Sequence, residues 1–138
     1  LRDVPGAGAA GGTGFGAMAV LGAVARPGVD IVLELADFGG KVRDADLVIT
    51  GEGSLDEQSL HGKAPIGVAS AARAAGVPVI AVAGRSVLTA EQIHAAGFRR
   101  ALALSEIEPD PARSMANAAE LLRKIGRSIA GGAAGRLG

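Results

Sequence analysis

The 138-residue sequence contains no cysteine, no tryptophan and no tyrosine, and only three phenylalanines. The absence of cysteine excludes disulfide bonds, thiolate metal sites and a cysteine nucleophile. With so few aromatic side chains, the chain has no stacking platform for single-stranded nucleic acid. Its core must therefore be built from alanine, valine, leucine and isoleucine.

An excess of charge of either sign is also missing, because 14 Lys and Arg residues balance 14 Asp and Glu residues. No basic surplus is left for nucleic acid or an anionic membrane. No apolar run approaches the roughly 18 residues that would cross a bilayer, and no basic segment precedes an apolar stretch as in a signal peptide. These absences predict a cytoplasmic protein that binds neither nucleic acid nor membranes.

Glycine is abundant instead, with 22 residues, many of them between positions 5 and 16. This glycine-rich segment leads into an alanine-rich stretch that predicts a helix at about 17–25, which Pro27-Gly28 ends. The apolar spacing of residues 29–38 favours a second helix, although Ile31-Val32-Leu33 is also compatible with a strand.

From Asp46 onwards, apolar runs alternate with helical patterns. The pattern predicts, in order, a strand at 47–49, a helix at 65–75, a strand at 77–83, a helix at 90–96, a strand at 101–104 and a helix at 111–130. The apolar face of the last helix is predicted to comprise Met115, Ala118, Ala119, Leu122, Ile125 and Ile129. Such alternation is typical of right-handed βαβ units and predicts a three-layer α/β/α fold with a parallel sheet. Three strands make a narrow sheet, so we expect it to be incomplete.

The stretch from Thr50 to Lys63 follows the first predicted strand, and ligands of parallel sheets bind beyond the carboxyl ends of strands. Glu52 and Asp56 could hold Mg²⁺, while Lys63 would place a positive charge just before a helix N-terminus. These are the parts that a phosphoryl-transfer site needs. The alternative is an ordinary polar surface loop. The stretch is not a Walker A loop, since Glu57 and Ala64 stand where that motif requires glycine and serine or threonine.

Weaker candidates come from the same expected edge of the sheet and from the loop itself. They are Arg85, Ser86, Ser105, Glu106 and His61.

Gly6, Gly8 and Gly11 match the spacing G-x-G-x-x-G of dinucleotide-binding folds, and Glu34 or Asp37 could serve as the ribose-binding acid. This interpretation requires residues 29–35 to form a strand. The alternatives are glycines that only permit close packing, or a different anion-binding loop.

Two stretches together resemble the C-terminal part of bacterial type I glycerate kinases. One is the glycine-rich segment 5–12. The other is Asp46-Leu-Val-Ile-Thr-Gly-Glu-Gly53, continued by Asp56, Gln58-Ser59 and Gly62-Lys63-Ala-Pro65. The resemblance extends over about residues 4–130.

The resemblance implies ATP-dependent phosphorylation of a hydroxyl group of D-glycerate, with ATP and Mg²⁺ as cofactors. It also implies two α/β domains, one of them flavodoxin-like, with the active site in the cleft between them. This chain would supply residues 1–40 as a segment leading in from the other domain, residues 41–130 as part of the flavodoxin-like domain, and residues 131–138 as a flexible tail. The N-terminal half would be a missing partner, and a homo-oligomer is a further possible assembly.

The resemblance also places the site at matching positions, and the chemistry of the residues there suggests their individual roles. Asp56, Glu52 and Lys63 would be catalytic, with Asp56 as metal ligand or general base, Glu52 supporting the metal and Lys63 neutralising phosphate charge. The residues that would contact substrate or phosphate are Gly6, Gly8, Gly11, Gly12, Thr50, Gly51, Gly53, Ser54, Gln58 and Ser59. The alternatives are a dinucleotide-binding module and a truncated remnant without catalytic activity.

Overall fold

The computed structural model describes residues 4–60 and 63–134. The N-terminal part is helical, with α1 at Ala9–Leu21, α2 at Gly28–Leu35 and α3 at Phe38–Val42. Helix α1 ends before the predicted position because Gly22 adopts a left-handed conformation (φ 64°), and its N–H donates to the carbonyl of Ala17. Glycine at this position is a common helix terminator.

Residues 28–35 form a helix, as the apolar spacing favoured, and Val29 of α2 packs against Gly67. Helix α3 was not predicted. It begins at Asp37, whose side chain accepts a hydrogen bond from the Gly40 N–H at 3.3 Å. A local cap of this kind stabilises a short helix whose apolar pattern is too brief to be recognised.

The sheet consists of three parallel strands in the order β1-β2-β3. Their bounds are Val48–Leu55 for β1, Val79–Ser86 for β2 and Arg100–Ala103 for β3. The helices between and after them are α4 at Ala64–Ala74, α5 at Ala90–Ala95, α6 at Pro111–Ala116 and α7 at Ala118–Ala134, with short 3₁₀ turns at Glu57–Leu60 and Leu104–Glu106.

Helices pack on both faces of this sheet and create two apolar cores. On one face Val79, Ala81 and Ala83 of β2 pack with Ala69 and Ala72 of α4. On the other face the core comprises Ile80, Leu104, Leu121, Ile125 and Ile129. The predicted three-layer α/β/α arrangement with a parallel sheet is therefore confirmed.

Two predicted helix starts agree with the structure because each is fixed by local hydrogen bonds. Thr89 and Gln92 form a reciprocal capping box at α5. Asp110 caps α6 by accepting from the Arg113 N–H at 2.8 Å, and Pro111 occupies the first turn. Both motifs need only four consecutive residues, so sequence alone reveals them.

The last helix differs from its prediction in two ways. Asn117 (φ −106°, ψ 14°) divides it into α6 and α7, and α7 continues to Ala134, into the segment expected to be a tail. The rest of the expected tail, residues 135–138, lies outside the described residues. Met115 lies in α6, before the break, and is 75 % exposed, whereas Leu121, four residues before Ile125 in α7, is buried (5 % exposed).

Two further residues of the predicted apolar face, Ala119 and Leu122, are also exposed, whereas Ile125 and Ile129 are buried as expected. The face of α7 that packs against the sheet therefore consists of Leu121, Ile125 and Ile129. Within the described ranges, no helix is long and apolar enough to span a bilayer.

Candidate active site

Strand β1 extends to Leu55, so the predicted loop begins six residues later than expected. The additional strand residues pair with β2, for example Glu52 with Ala83 and Ser54 with Arg85. Side chains alternate between the two faces of a strand. Thr50, Glu52 and Ser54 therefore lie on the face covered by α4, while Gly51 and Gly53 lie on the opposite face.

Asp56 follows β1 directly. The 3₁₀ turn at Glu57–Leu60 places Ser59 next to the Asp56 carboxylate. The Ser59 N–H donates to Asp56 Oδ1 at 3.0 Å, and the Ser59 hydroxyl lies 3.1 Å from the same oxygen. That hydroxyl also lies 2.9 Å from the carbonyl oxygen of Ser54. Ser59 is only 1 % exposed, so it holds the Asp56 side chain from the interior side.

Lys63 completes this cluster from the start of α4, where it occupies the N-cap position. Its Nζ donates to Ser59 Oγ at 3.5 Å. Pro65 in the first turn has the backbone φ that a helix start requires. The site thus combines an ammonium group with the partial positive charge of a helix N-terminus.

These contacts lower the pKa of Asp56. The main cause is the hydrogen bond from the Ser59 backbone N–H, with additional contributions from the Ser59 hydroxyl, the charge of Lys63 and the Gln58 backbone, while partial burial acts in the opposite direction. A carboxylate that accepts several hydrogen bonds is stabilised in its charged form. Asp56 is therefore ionised at neutral pH.

Arg85 joins the site from β2. Its Nε donates to Ser54 Oγ at 3.0 Å, which links the carboxyl ends of β1 and β2. The sequence placed Arg85 only at the edge of the sheet. The contact between Arg85 and Ser54 depends on the register of β1 and β2, which the sequence does not reveal. The sequence indicated only that Arg85 lies at the end of a neighbouring strand.

The other predicted residues vary in their placement. Gln58 is exposed in the 3₁₀ turn, and Ser105 and Glu106 lie in the turn after β3. His61 and Gly62 lie outside the described residues.

The glycine-rich segment forms a sharp turn ahead of the regular part of α1. Three consecutive residues, Ala10, Gly11 and Gly12, have left-handed backbone with φ of 49°, 65° and 97°. Glycine adopts this conformation readily, but alanine does so with strain, and strained backbone is often found at functional sites. The Phe15 N–H donates to the Ala7 carbonyl at 2.9 Å. Such local bonds fix the shape of the segment, not its position relative to Asp56.

The dinucleotide-binding alternative is wrong for this chain. It requires a strand at 29–35, where the structure has α2. In addition, residues 4–8, directly before α1, form a bend and turns, not a strand. The glycines therefore lack the βαβ context that the fingerprint needs.

Among the described residues, no group of three or more histidine, aspartate or glutamate side chains is placed to hold a metal ion. Magnesium in phosphoryl-transfer sites is usually bound by one or two carboxylates together with water and substrate phosphates. Asp56 supplies one such carboxylate directly after β1, and Glu52 supplies another within the strand.

The comparisons with known proteins agree on one family. The model described as "Glycerate kinase family" matches residues 1–133. The chain is 46 % identical to the glycerate kinase of Halalkalibacterium halodurans and 45 % identical to that of Bacillus subtilis, in each case over 94 % of this chain and 34 % of the relative. It is 52 % identical to the glycerate 2-kinase of Escherichia coli over 61 % of this chain and 22 % of that protein.

A solved structure from Salmonella typhimurium LT2, described as a candidate glycerate kinase 2, superposes with a TM-score of 0.65 at 34 % identity. The match covers 94 % of this chain and 34 % of that one. The chain therefore spans about a third of the length of the curated relatives named first.

Proposed function

The chain belongs to the glycerate kinase family, and we propose that it contributes the Asp56 site to an enzyme that transfers the γ-phosphoryl group of ATP to a hydroxyl group of D-glycerate. One observation carries the proposal. An ionised carboxylate, a lysine and a helix N-terminus meet at the carboxyl end of a parallel strand, within one hydrogen-bonded cluster. Phosphoryl transfer depends on positioning and charge stabilisation of this kind.

In the proposed reaction, the glycerate hydroxyl oxygen forms a bond to the γ-phosphorus and its proton passes to water. The bond from the γ-phosphorus to the bridging oxygen breaks, and ADP leaves. Lys63 stabilises the negative charge on the transferring group, with support from the N-terminus of α4. Gly6, Gly8, Gly11 and Gly12 would approach phosphate or substrate through backbone N–H groups.

Asp56 has two possible roles, as metal ligand and as general base. Its lowered pKa favours the first, because a general base works best with a pKa near the operating pH. Asp56, supported by Glu52, would bind Mg²⁺. The ion held there would supply positive charge that neutralises the phosphate oxygens.

Among the remaining site residues, Ser59 is buried and the others are half-buried or exposed. Thr50, Gly51, Gly53, Ser54 and Gln58 would line the cleft. Ser59 is buried, so we assign it to positioning Asp56 instead of to direct substrate contact.

This chain matches about a third of each relative. The rest of the active site would come from a polypeptide that corresponds to the other two thirds. The absence of buried residues in α1 and α2 supports a division in which residues 1–40 pack mainly against that polypeptide. We further infer a flavodoxin-like domain at 41–130 and a cytoplasmic location.

The test is reconstitution. This chain is co-expressed with the unmatched part of the Bacillus subtilis glycerate kinase, and the purified complex is supplied with Mg-ATP and D-glycerate. We expect ADP and phosphoglycerate to form, and neither part alone to produce them. A stable complex that forms no phosphoglycerate would overturn the proposal and support a remnant without catalytic activity.

A further inference from the structure

Arg85 is held at the carboxyl end of β2 by the neighbouring strand. It pairs with Ser54 in the ladder, and the next residue, Ser86, pairs with Leu55. The Val87 N–H then donates to the Leu55 carbonyl at 3.0 Å, so the contact between the two segments continues beyond Arg85. The backbone of Arg85 therefore lies within the sheet, and its position relative to β1 is fixed.

The two strands approach each other closely just before this pair. An ideal Cβ atom built at Gly84 would lie 2.7 Å from the carbonyl oxygen of Gly53, which is nearer than real Cβ atoms come. Glycine within a strand often marks such a close approach of two backbones. The absence of a side chain at position 84 thus allows the next residue, Arg85, to reach the end of β1.

The guanidinium group of Arg85 makes one bond to the protein. Its Nε donates to Ser54 Oγ at 3.0 Å. A guanidinium carries five N–H donors, so the four on the two Nη atoms remain. In the part of the chain that the structure describes, no carboxylate forms an ion pair with Arg85, and its side chain is exposed. The Nη edge thus keeps the two parallel donors that bind a carboxylate or a phosphate.

Ser54 connects Arg85 to the Asp56 cluster. Its hydroxyl accepts from Arg85 Nε, while its carbonyl oxygen lies 2.9 Å from the Ser59 hydroxyl, which also contacts Asp56. Adjacent strands lie about 4.8 Å apart. A three-carbon acid is long enough to place its carboxylate at the end of one strand and a hydroxyl group at the end of the next.

We propose that Arg85 binds the carboxylate of the acceptor substrate through its two Nη atoms and thereby selects organic acids over neutral alcohols. This inference rests on the proposed function, because it assigns a partner to the acid group of glycerate. Asp56 is ionised and repels a second carboxylate, so the substrate needs a cation at that group.

The phosphates of ATP are the other source of an oxyanion for Arg85. Lys63 favours the carboxylate, because this lysine lies at the helix N-terminus that we assign to the transferring phosphoryl group. The two cations of the cluster then serve the two anionic groups of the reaction, one each.

The test measures the binding of two ligands to the complex co-expressed with the unmatched part of the Bacillus subtilis glycerate kinase. One ligand is D-glycerate, and the other is D-glyceramide, in which a neutral amide replaces the carboxylate. By titration calorimetry, the wild type should bind D-glyceramide at least about tenfold more weakly than D-glycerate, because hydrogen bonds between charged groups are the stronger ones.

Two matched variants show whether Arg85 causes this preference. In Arg85→Gln the ratio of the two Kd values should fall below about threefold, since only neutral hydrogen bonds remain. The control, Arg127→Gln, removes an exposed guanidinium from α7 and should keep the wild-type ratio.

A purely structural role of Arg85 has a different signature. Loss of the bond to Ser54 alone would weaken the binding of both ligands equally and leave the ratio of their Kd values unchanged. Arg85→Lys keeps the charge but not the parallel donors, so its ratio should lie between those of the wild type and Arg85→Gln.

Three outcomes would overturn the inference: an unchanged ratio in Arg85→Gln, an equal fall in Arg127→Gln, or a wild-type complex without preference for D-glycerate. If Arg85→Gln instead weakens ATP binding at least about tenfold with the ratio unchanged, Arg85 binds a phosphate.

Turnover of the same complexes separates this inference from the proposed function. The expected fall of the ratio in a complex that forms no phosphoglycerate would leave the inference standing and refute only the proposed function. Formation of phosphoglycerate together with an unchanged ratio in Arg85→Gln would refute only the inference.

Discussion

Ser59 holds Asp56 through a single carboxylate oxygen: its N–H and its hydroxyl lie 3.0 Å and 3.1 Å from Asp56 Oδ1. Because Ser59 is buried and its hydroxyl also reaches the carbonyl of Ser54, the Asp56 side chain is tied to the last residues of β1. Although Asp56 lies after the end of β1, its carboxylate is held in place through Ser59 by a hydrogen bond to that strand.

Replacing Ser59 should destabilise the chain. Ser59→Ala leaves the Ser54 carbonyl and Asp56 without the hydroxyl, and the loss of a buried hydrogen bond costs about 0.5–1.5 kcal/mol. Equilibrium urea unfolding measures this change. The control is Ser128→Ala, which removes an exposed hydroxyl from α7 and should change the free energy of unfolding by less than about 0.5 kcal/mol. Equal effects of the two variants would show that the Ser59 contacts contribute nothing.

The stability of the chain should depend on the charge of Asp56 at acidic pH. The folded state lowers the pKa of Asp56 from its ordinary value of 3.8, so the native state binds this proton less readily than the unfolded state. The stabilisation is therefore complete above about pH 5 and is lost as the pH falls through 3.8 and below. Urea unfolding of the wild type and Asp56→Asn between pH 2.5 and 7 measures it. The difference between the two should be constant above pH 5 and shrink below pH 4; a difference independent of pH would contradict the shift.

Removing the charge of Asp56 should also impair phosphoryl transfer in the reconstituted complex. We expect Asp56→Asn to lower kcat at least about a hundredfold, as for the loss of a ligand of the metal that stabilises charge on the transferring group. The control, Asp44→Asn, neutralises an exposed carboxylate outside the site and should retain normal turnover. Near-normal turnover of Asp56→Asn would remove Asp56 from the catalytic residues.

A Cβ atom at position 67 should separate α2 from α4. An ideal Cβ built at Gly67 would lie 2.5 Å and 2.8 Å from the two γ-carbons of Val29. Overpacking of this kind costs about 1–3 kcal/mol, partly offset by about 1 kcal/mol from the better helix propensity of alanine. We expect Gly67→Ala to lower the free energy of unfolding by up to about 2 kcal/mol.

The double variant Gly67→Ala/Val29→Ala removes the steric conflict. A double-mutant cycle by urea unfolding should therefore show that the two substitutions together cost less than the sum of their separate effects. Additive effects would show that Val29 and Gly67 are not in contact.

The sequence correctly predicted helix starts that depend only on contacts between neighbouring residues. The capping box of Thr89 and Gln92 and the Asp110-Pro111 helix start each depend on a few consecutive residues. The phosphoryl-transfer interpretation of residues 50–63 depended on residue types, on their position after a predicted strand and on the family resemblance. The structure brings Asp56 and Lys63 to the same place, since both contact Ser59. Their catalytic roles stay predictions.

The errors arose where a distant partner decides the outcome. Strand β1 was predicted to end near Thr50, because glycine and polar residues follow. The structure extends it to Leu55, since β2 supplies backbone partners up to Ser86. The predicted apolar face of the last helix included Leu122, but the face of α7 that packs on the sheet carries Leu121 instead.

By itself, therefore, the sequence determined the α/β class, the order of helices and strands after residue 46 and the residue types of the site, because periodicity and capping are properties of neighbouring residues. Only the tertiary structure decided that Ser59 is buried beneath Asp56, that Arg85 reaches Ser54, and that Ile49 is exposed on a strand that pairs, among the described residues, only with β2. Each of these depends on strand register and on which helix covers which face, and those relationships join residues that are distant along the chain or separated by a turn.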